Sequence, residues 1–263
     1  LHLLSRRQRQ MCIRDSCSAT SKNQAEVVTD TWGKYNVGTI LFEDKAPETK
    51  GSDVYHRIIP DAESYIKAQA REVLATLYNS PDDSIPTVNK IHYTLEDIEG
   101  VSAKGGGNGD VTIFYSTRHI EKSFAKNDTA KLFFETRGVL LHELTHAYQL
   151  EPQGIGSYGT NRVFWAFIEG MADAVRVANG GFDGPNARPK GGNYMDGYRT
   201  AGYFFVWLRD NKDPEFLRKF NRSTLEVVPW SFDGAIKHIL GNEYNIDELW
   251  HEYQVAVGDI QAQ

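Results

Sequence analysis

The stretch Gly138-Val-Leu-Leu-His-Glu-Leu-Thr-His146 guides the interpretation of the whole chain. On an α-helix, residues four apart lie one turn along the axis on nearly the same face, so His142 and His146 can bind one metal ion. Glu143 lies beside His142 and can reach a water molecule on that metal. This HExxH pattern is typical of zinc peptidases, although a helix with two ordinary histidines would show the same five residues.

A second stretch, Phe167-Ile-Glu-Gly-Met-Ala-Asp173, supplies a candidate for the third ligand. Catalytic zinc sites commonly have three protein ligands and one open position, and two histidines with one glutamate form a common set. We therefore predict Glu169 as the third metal ligand. Asp173 lies four residues further along and can accept a hydrogen bond from a ligand histidine. The apolar neighbours of both carboxylates argue against the alternative that they are surface charges.

Composition excludes several other classes of protein. The 263 residues are 40% hydrophobic and 24% charged, which is typical of a folded protein. The formal net charge of -6 gives no basic footprint for nucleic acid. No apolar run approaches the roughly 20 residues that span a bilayer. The two cysteines, Cys12 and Cys17, lie near the N-terminus, so thiolates cannot be ligands in the remainder of the chain.

The hydrophobic pattern changes from strand-like to helical along the chain, which predicts an α+β fold. We predict strands at 38–43, 90–95 and 110–116, a loop at 45–52 and a helix at 59–78. The run Gly105-Gly-Gly-Asn-Gly109 predicts a flexible hairpin connection. Further helices are predicted at 130–149, 163–179, 194–211, 213–221, 231–240 and 245–257.

The chain divides into three expected regions. Residues 1–16 are basic, unlike the rest, and are interpreted as a non-native segment similar to translated sequencing adapter, the alternative being a genuine basic arm. Residues 17–35 are expected to form a tether, in which Cys17 is either a lipid-attachment site or an ordinary unpaired cysteine. Residues 36–257 are expected to form one domain, with a sheet subdomain (36–150), a helical subdomain (151–257) and a cleft between them.

The chain resembles the basic secretory protein family of plant and bacterial peptidases in three runs. These are LHELTHAYQ (141–149), FIEGMADAVRV (167–177) and MDGYRTAGYFFVWL (195–208). The resemblance covers roughly residues 35–257 and includes a closing helix at Ile246-Asp-Glu-Leu-Trp250. It implies a zincin-like fold in which a mixed or antiparallel sheet with helices precedes a mainly helical half. The pI of about 5.8 departs from the basic character in the family's name.

The resemblance also implies the roles of individual residues. By similarity to this family and to thermolysin-like gluzincins, His142, His146 and Glu169 bind Zn²⁺, Glu143 is the general base and Asp173 supports a ligand. Tyr198 occupies the family's Gly-Tyr position and is the first candidate for the oxyanion donor, although a core tyrosine is an equal alternative. Tyr203 and His238 are weaker candidates for that donor.

The expected substrate is a peptide or protein, bound through main-chain hydrogen bonds to strand 110–116 at the edge of the cleft. We expect a monomer without a nucleic-acid partner or a transmembrane segment. It would be secreted, periplasmic or a surface lipoprotein.

Two alternatives stay open at this stage. The pairs Glu143/His146 and Glu248/His251 have the ExxH spacing used by di-iron carboxylate proteins, although a strand-rich N-terminal half does not suit a helix bundle. A catalytically inactive binding protein on a zincin scaffold, recognising a glycan, a cell wall or a protein, would conserve the fold without the reaction.

Overall fold

The structure is a computed structural model that describes residues 31–261. The strands are β1 (Thr39–Asp44), β2 (Lys90–Glu96), β3 (Ser102–Gly107) and β4 (Asp110–Ser116). The helices are α1 (Lys50–Ile58), α2 (Ala62–Leu77), α3 (Thr117–Ser123), α4 (Thr129–Tyr148), α5 (Arg162–Ala178), α6 (Tyr198–Asn211), α7 (Phe216–Glu226), α8 (Phe232–Leu240) and α9 (Ile246–Ala256). A strand-rich half therefore precedes a helical half, and the α+β prediction is confirmed.

The four strands form one mixed sheet in the order β1-β2-β4-β3. Strands β1, β2 and β4 are parallel, and β3 pairs antiparallel with β4. The prediction that strand 110–116 lines the edge is wrong, because β4 is paired on both sides. The free edge on this side of the sheet belongs to β3.

The glycine run at residues 105–109 also differs from its prediction as a flexible connection, because part of it is paired with β4 in the sheet. Gly105–Gly107 belong to β3, and the turn into β4 is made by Asn108 and Gly109. A hairpin between β2 and β4 is excluded because these strands are parallel. Glycine has low strand propensity, so only the pairing with β4 makes this segment a strand.

Helix α1 was not predicted, and it overlaps the segment expected to be a loop. Thr49 caps its first turn by accepting a hydrogen bond from the Ser52 backbone N–H. A Cβ on Gly51 would lie 2.3 Å from the Thr117 carbonyl oxygen, so this glycine permits close packing of α1 against α3. The short helix α3 was not predicted either.

The remaining predicted helices are present with shifted ends. One of them, 194–211, is interrupted at Gly197, which separates a 3₁₀ turn (Tyr194–Asp196) from α6. Helix α5 is buried along most of its length. A Cβ on Gly170 would lie 2.7 Å from Ala201 Cβ, so glycine lets α5 and α6 pack closely. Helix α5, which packs closely against α6, carries two of the predicted site residues, Glu169 and Asp173.

Several predictions concern residues outside the described range. These are the non-native segment 1–16, Cys12, Cys17 and most of the tether 17–35. Within the part that is described, Trp32 is 7% exposed and belongs to the core. Among residues 31–261, no helix combines the length and apolar character needed to cross a membrane.

Candidate metal centre

His142 and His146 extend from the same face of α4. Their ring centroids are 4.7 Å apart, and 3.1 Å separates the two Nε2 atoms. Both side chains are largely buried, with 14% and 13% of their surfaces exposed. The one-turn spacing therefore produces the expected pair of convergent imidazoles.

Glu169 approaches the two histidines from α5. Its Oε2 atom lies 3.4 Å from His142 Nε2 and 3.7 Å from His146 Nε2. Its Oε1 atom accepts a hydrogen bond from the Tyr158 hydroxyl at 2.7 Å. Oε2 is buried without a hydrogen-bond partner in the described part of the chain. An unpartnered carboxylate oxygen facing two imidazoles is unfavourable unless a cation lies between them.

The separations between these donor atoms fit a tetrahedral zinc ion. Zinc–ligand bonds near 2.0–2.1 Å place two ligand atoms about 3.3 Å apart. The observed separations of 3.1, 3.4 and 3.7 Å lie around this value. Within residues 31–261, His142, His146 and Glu169 are the one group of three or more such side chains with converging donor atoms.

Asp173 and Gln149 contact the outer nitrogen atoms of the two imidazoles. Asp173 Oδ1 lies 2.7 Å from His142 Nδ1, as the four-residue spacing from Glu169 predicts. When Nδ1 of His142 donates a hydrogen to this carboxylate, its Nε2 presents a lone pair to the site. The side-chain amide of Gln149 lies 2.7 Å from His146 Nδ1. Each imidazole is therefore contacted at Nδ1, on the side of the ring away from the candidate metal position.

The surroundings shift the pKa values of the site in opposite directions. Burial lowers the pKa of His142, but the hydrogen bond to Asp173 and the nearby Glu169 carboxylate outweigh it and raise the value to about 10. Burial and the neighbouring imidazole lower the pKa of His146 to about 3. Burial raises the pKa of Glu169, but the two histidines and Tyr158 bring it below its usual value. The pKa values of the two histidines are therefore shifted in opposite directions, and a metal held by both would require their Nε2 atoms to be free of hydrogen.

Glu143 lies on α4 beside this group and is 6% exposed. Burial raises its pKa above the usual value, while His142, the Ser102 hydroxyl and the Lys104 backbone act in the opposite direction. Ser102 and Lys104 belong to the edge strand β3. The carboxylate therefore lies between the histidine helix and the free edge of the sheet.

Two neighbouring cavities form a cleft around these residues. The first, of about 310 Å³, contains Lys104, His146, Gln149, Tyr158 and Glu169 in its lining. The second, of about 370 Å³, is lined in part by Asp173, Arg176 and Phe182. Ser102, His142, Glu143 and Tyr198 line both. A bound molecule can therefore extend past Glu143 in two directions.

Tyr198 lines both cavities, and the residue is 47% exposed. Its ring stacks on the His142 imidazole with centroids 6.1 Å apart. Its backbone has a φ of +42°, a sparsely populated value for a residue other than glycine. Such backbone conformations cluster at functional sites. The structure thus brings Tyr198 beside the candidate metal ligands.

The two weaker candidates for an oxyanion donor are not brought to the site. The Tyr203 hydroxyl donates to the Phe182 carbonyl oxygen. His238 pairs with Glu226 at 3.0 Å. Neither residue lines the two cavities.

The di-iron interpretation is wrong for the described chain. Glu248 and His251 are exposed on α9, and neither belongs to a group that could hold a metal among residues 31–261. The ExxH spacing occurs twice, but only on α4 does a carboxylate from another helix complete a set of donors.

Sequence reasoning missed Tyr158, Gln149 and the β3 residues that line the cleft. Gln149 follows His146 by three residues, and this helical spacing was an available signal. Tyr158 lies in the connection between α4 and α5, and its contact with Glu169 depends on the path of that loop. Ser102 and Lys104 could be placed only once β3 was known to be the edge strand.

Comparison with known families identifies the chain. No curated protein and no solved structure showed a match. The family described as a peptidase of plants and bacteria matches residues 38–253, which include every residue of the candidate metal centre. The chain therefore belongs to this peptidase family, the basic secretory protein family, as its three motif runs indicated.

Proposed function

We propose that the chain is a zinc-dependent metallopeptidase of the HExxH type with a zincin-like fold, in which His142, His146 and Glu169 hold the zinc ion. The observation that carries this proposal is the convergence of three donor atoms, one of them an unpartnered buried carboxylate oxygen. Zinc accepts this donor set, and a structural zinc site would have four protein ligands. Three ligands beside an open cleft favour a catalytic site.

The reaction would use one chemical contribution from the metal and several from the chain. Zinc, when bound, supplies a Lewis acid that acidifies water and polarises a carbonyl group. Glu143 takes the proton of the attacking water and delivers it to the leaving amine. Its burial raises its pKa, which makes it a stronger base than an exposed glutamate. Asp173 keeps the His142 imidazole oriented through the Nδ1 hydrogen bond.

Tyr198 is proposed to stabilise the oxyanion that forms when the scissile carbonyl is attacked. Its position in the lining of both cavities, against His142, leaves its side chain accessible to a substrate. A phenol hydroxyl is a suitable donor for a developing negative charge. Tyr158 also lines the first cavity, but its hydroxyl is already used to orient Glu169. A Tyr198→Phe variant should therefore lower kcat with little change in KM.

The substrate is proposed to be an extended peptide paired with the free edge of β3. An edge strand presents unpaired main-chain N–H and C=O groups, which can bind a peptide irrespective of its side chains. Cavities on both sides of Glu143 would accept side chains on both sides of the scissile bond. The family's name denotes secretory proteins, and we propose that the chain acts outside the cytoplasm.

Metal titration combined with a peptide library tests the proposed function. Protein stripped with a chelator should bind one zinc ion per chain and recover hydrolysis of library peptides. Glu143→Gln should bind zinc equally well but lose hydrolysis, whereas Glu63→Gln, the same change at an exposed position of α2, should retain both. Zinc binding without hydrolysis by the unaltered chain would favour an inactive binding protein. Failure to bind zinc would refute the proposal.

A further inference from the structure

Gln149 ends helix α4 with its side chain turned back towards the metal centre. Its backbone N–H donates to the Thr145 carbonyl oxygen, and its backbone then leaves the helix with a ψ of 149°. The residue is 5% exposed and lines the first cavity beside His146. Its side-chain amide therefore lies within the site, beside His146.

The amide makes an unusual set of contacts. Its nitrogen Nε2 lies 2.7 Å from His146 Nδ1, while its oxygen Oε1 is buried and has no hydrogen-bond partner among residues 31–261. The oxygen and nitrogen of a glutamine amide have nearly the same shape, so a half-turn exchanges them at little steric cost. The hydrogen on the His146 imidazole decides which orientation is favourable.

The two orientations correspond to different states of His146. If Gln149 Nε2 donates to Nδ1, the imidazole hydrogen must lie on Nε2, which then cannot bind a metal through its lone pair. If Gln149 Oε1 faces Nδ1, it accepts the Nδ1–H hydrogen and leaves Nε2 free. His146 Nε2 is the atom that faces Glu169 Oε2 and His142 Nε2. Metal binding at these atoms therefore requires the oxygen-facing orientation.

We propose that Gln149 is a positioning residue for His146, and that its Oε1 accepts the Nδ1 hydrogen and fixes the metal-binding tautomer. Gln149 would thus orient the His146 imidazole as Asp173 orients that of His142. Unlike the Asp173 carboxylate, the Gln149 acceptor is neutral, and its amide group can rotate by a half-turn. This inference rests on the proposed zinc site. Outer partners of this kind typically change metal affinity by about 10–100-fold.

Zinc affinity, measured by competition with a chromophoric chelator, tests this role. Gln149→Leu removes the acceptor at similar volume and should weaken zinc binding by roughly 10–100-fold. Gln149→Glu keeps an oxygen at the same place and should restore affinity to the unaltered level or better. Gln153→Leu, four residues further on and exposed, is the matched control and should bind zinc normally.

A spectroscopic measurement separates positioning from packing. In ¹⁵N-labelled zinc-loaded protein, His146 should carry its hydrogen on Nδ1, with the metal-bound signal at Nε2. An unchanged affinity in Gln149→Leu, an equal loss in Gln149→Leu and Gln149→Glu, or a metal on Nδ1 would each overturn the inference. If the unaltered chain bound no zinc, the proposed function itself would fail, which is a different result.

Discussion

Helices α4 and α5 are joined by two polar layers that differ in how their charges are balanced. The closed layer consists of His119, Glu135 and Arg176, and the metal layer consists of His142, His146, Glu169 and Asp173. Glu135 precedes His142 by seven residues on α4, and Glu169 precedes Arg176 by seven on α5. Helices α4 and α5 therefore contribute to both layers, two turns apart, and α3 adds His119 to the closed layer.

The closed layer contains its own cation. Arg176 Nη2 lies 2.7 Å from Glu135 Oε2, and His119 Nε2 lies 3.0 Å from the other oxygen of that carboxylate. Arg176 Nε has no hydrogen-bond partner in residues 31–261, but the guanidinium lies 3.8 Å from the Phe182 ring centroid. Its positive charge is met by a carboxylate and an aromatic face.

The metal layer contains carboxylates without such a cation. In the described chain no lysine or arginine forms an ion pair with Glu143, Glu169 or Asp173. Glu169 and Asp173 instead face the His142 and His146 imidazoles. A buried group of this kind is costly unless a cation compensates it. The comparison teaches that the lack of a paired lysine or arginine among residues 31–261, rather than the number of polar residues, distinguishes the candidate metal centre.

The largest expected effect is on activity. Glu143→Gln replaces the proposed general base with an isosteric amide and should reduce hydrolysis by about 10²–10⁴-fold. Zinc stoichiometry should stay at one, because Glu143 is not among the proposed ligands. Initial rates on a cleaved library peptide, with metal content measured on the same samples, check this result. Retained activity would remove Glu143 from the reaction.

The next effect is on metal binding. Glu169→Gln removes the only proposed carboxylate ligand and should weaken zinc binding by at least about 100-fold, more than the loss of an outer partner. In the unaltered protein, zinc at 1,000 times its Kd should stabilise the fold by about 4 kcal/mol. Thermal unfolding with and without zinc would show whether Glu169→Gln loses most of this stabilisation. A full zinc-induced shift in that variant would contradict the assignment of Glu169.

A variant in the closed layer should lower the stability of the fold without changing the response to zinc. Arg176→Leu leaves Glu135 partly buried without its cation and should cost about 2–3 kcal/mol, or roughly 5–10 °C in Tm. The stabilisation gained on adding zinc should be unchanged, since the metal layer keeps its ligands. A double variant with Glu135→Leu should recover much of the lost stability. Loss of the zinc response in Arg176→Leu would show that the layers are not independent.

The smallest effect concerns pH. Burial raises the pKa of Glu135, but His119 and Arg176 outweigh it and hold the pKa below its usual value. Glu135 therefore stabilises the fold above its unfolded pKa of about 4.3, and this contribution is lost as pH falls through its lower folded value. Chemical unfolding of zinc-free protein between pH 6 and pH 3 should show a smaller loss in Glu135→Gln. An equal loss of unfolding free energy with falling pH in the unaltered protein and in Glu135→Gln would contradict this role.

The sequence was most informative where geometry is local. The one-turn spacing of His142 and His146 and the four-residue spacing of Glu169 and Asp173 follow from helix geometry alone. The strand and helix pattern predicted the α+β class because apolar residues recur with the period of each element. These features needed no knowledge of how distant segments pair.

The sequence was least informative where a contact depends on distant residues. Strand β3 contains Gly105, Gly106 and Gly107, whose own propensity opposes a strand, and it exists because it pairs with β4. The start of helix α1 was predicted as a loop that contains Gly51, but this glycine allows close packing rather than a turn. The hydrogen bond from Tyr158 to Glu169 depends on the course of a loop, for which the sequence carries no periodic signal.

The central claim is that three side chains converge on one ion, and anomalous diffraction tests it most directly. Crystals grown from zinc-loaded protein, measured on both sides of the zinc absorption edge, should show one strong peak within bonding distance of His142 Nε2, His146 Nε2 and Glu169 Oε2. The electron density should also show Asp173 Oδ1 within hydrogen-bond distance of His142 Nδ1. A peak located elsewhere, or no peak between these three atoms in zinc-loaded crystals, would contradict the account.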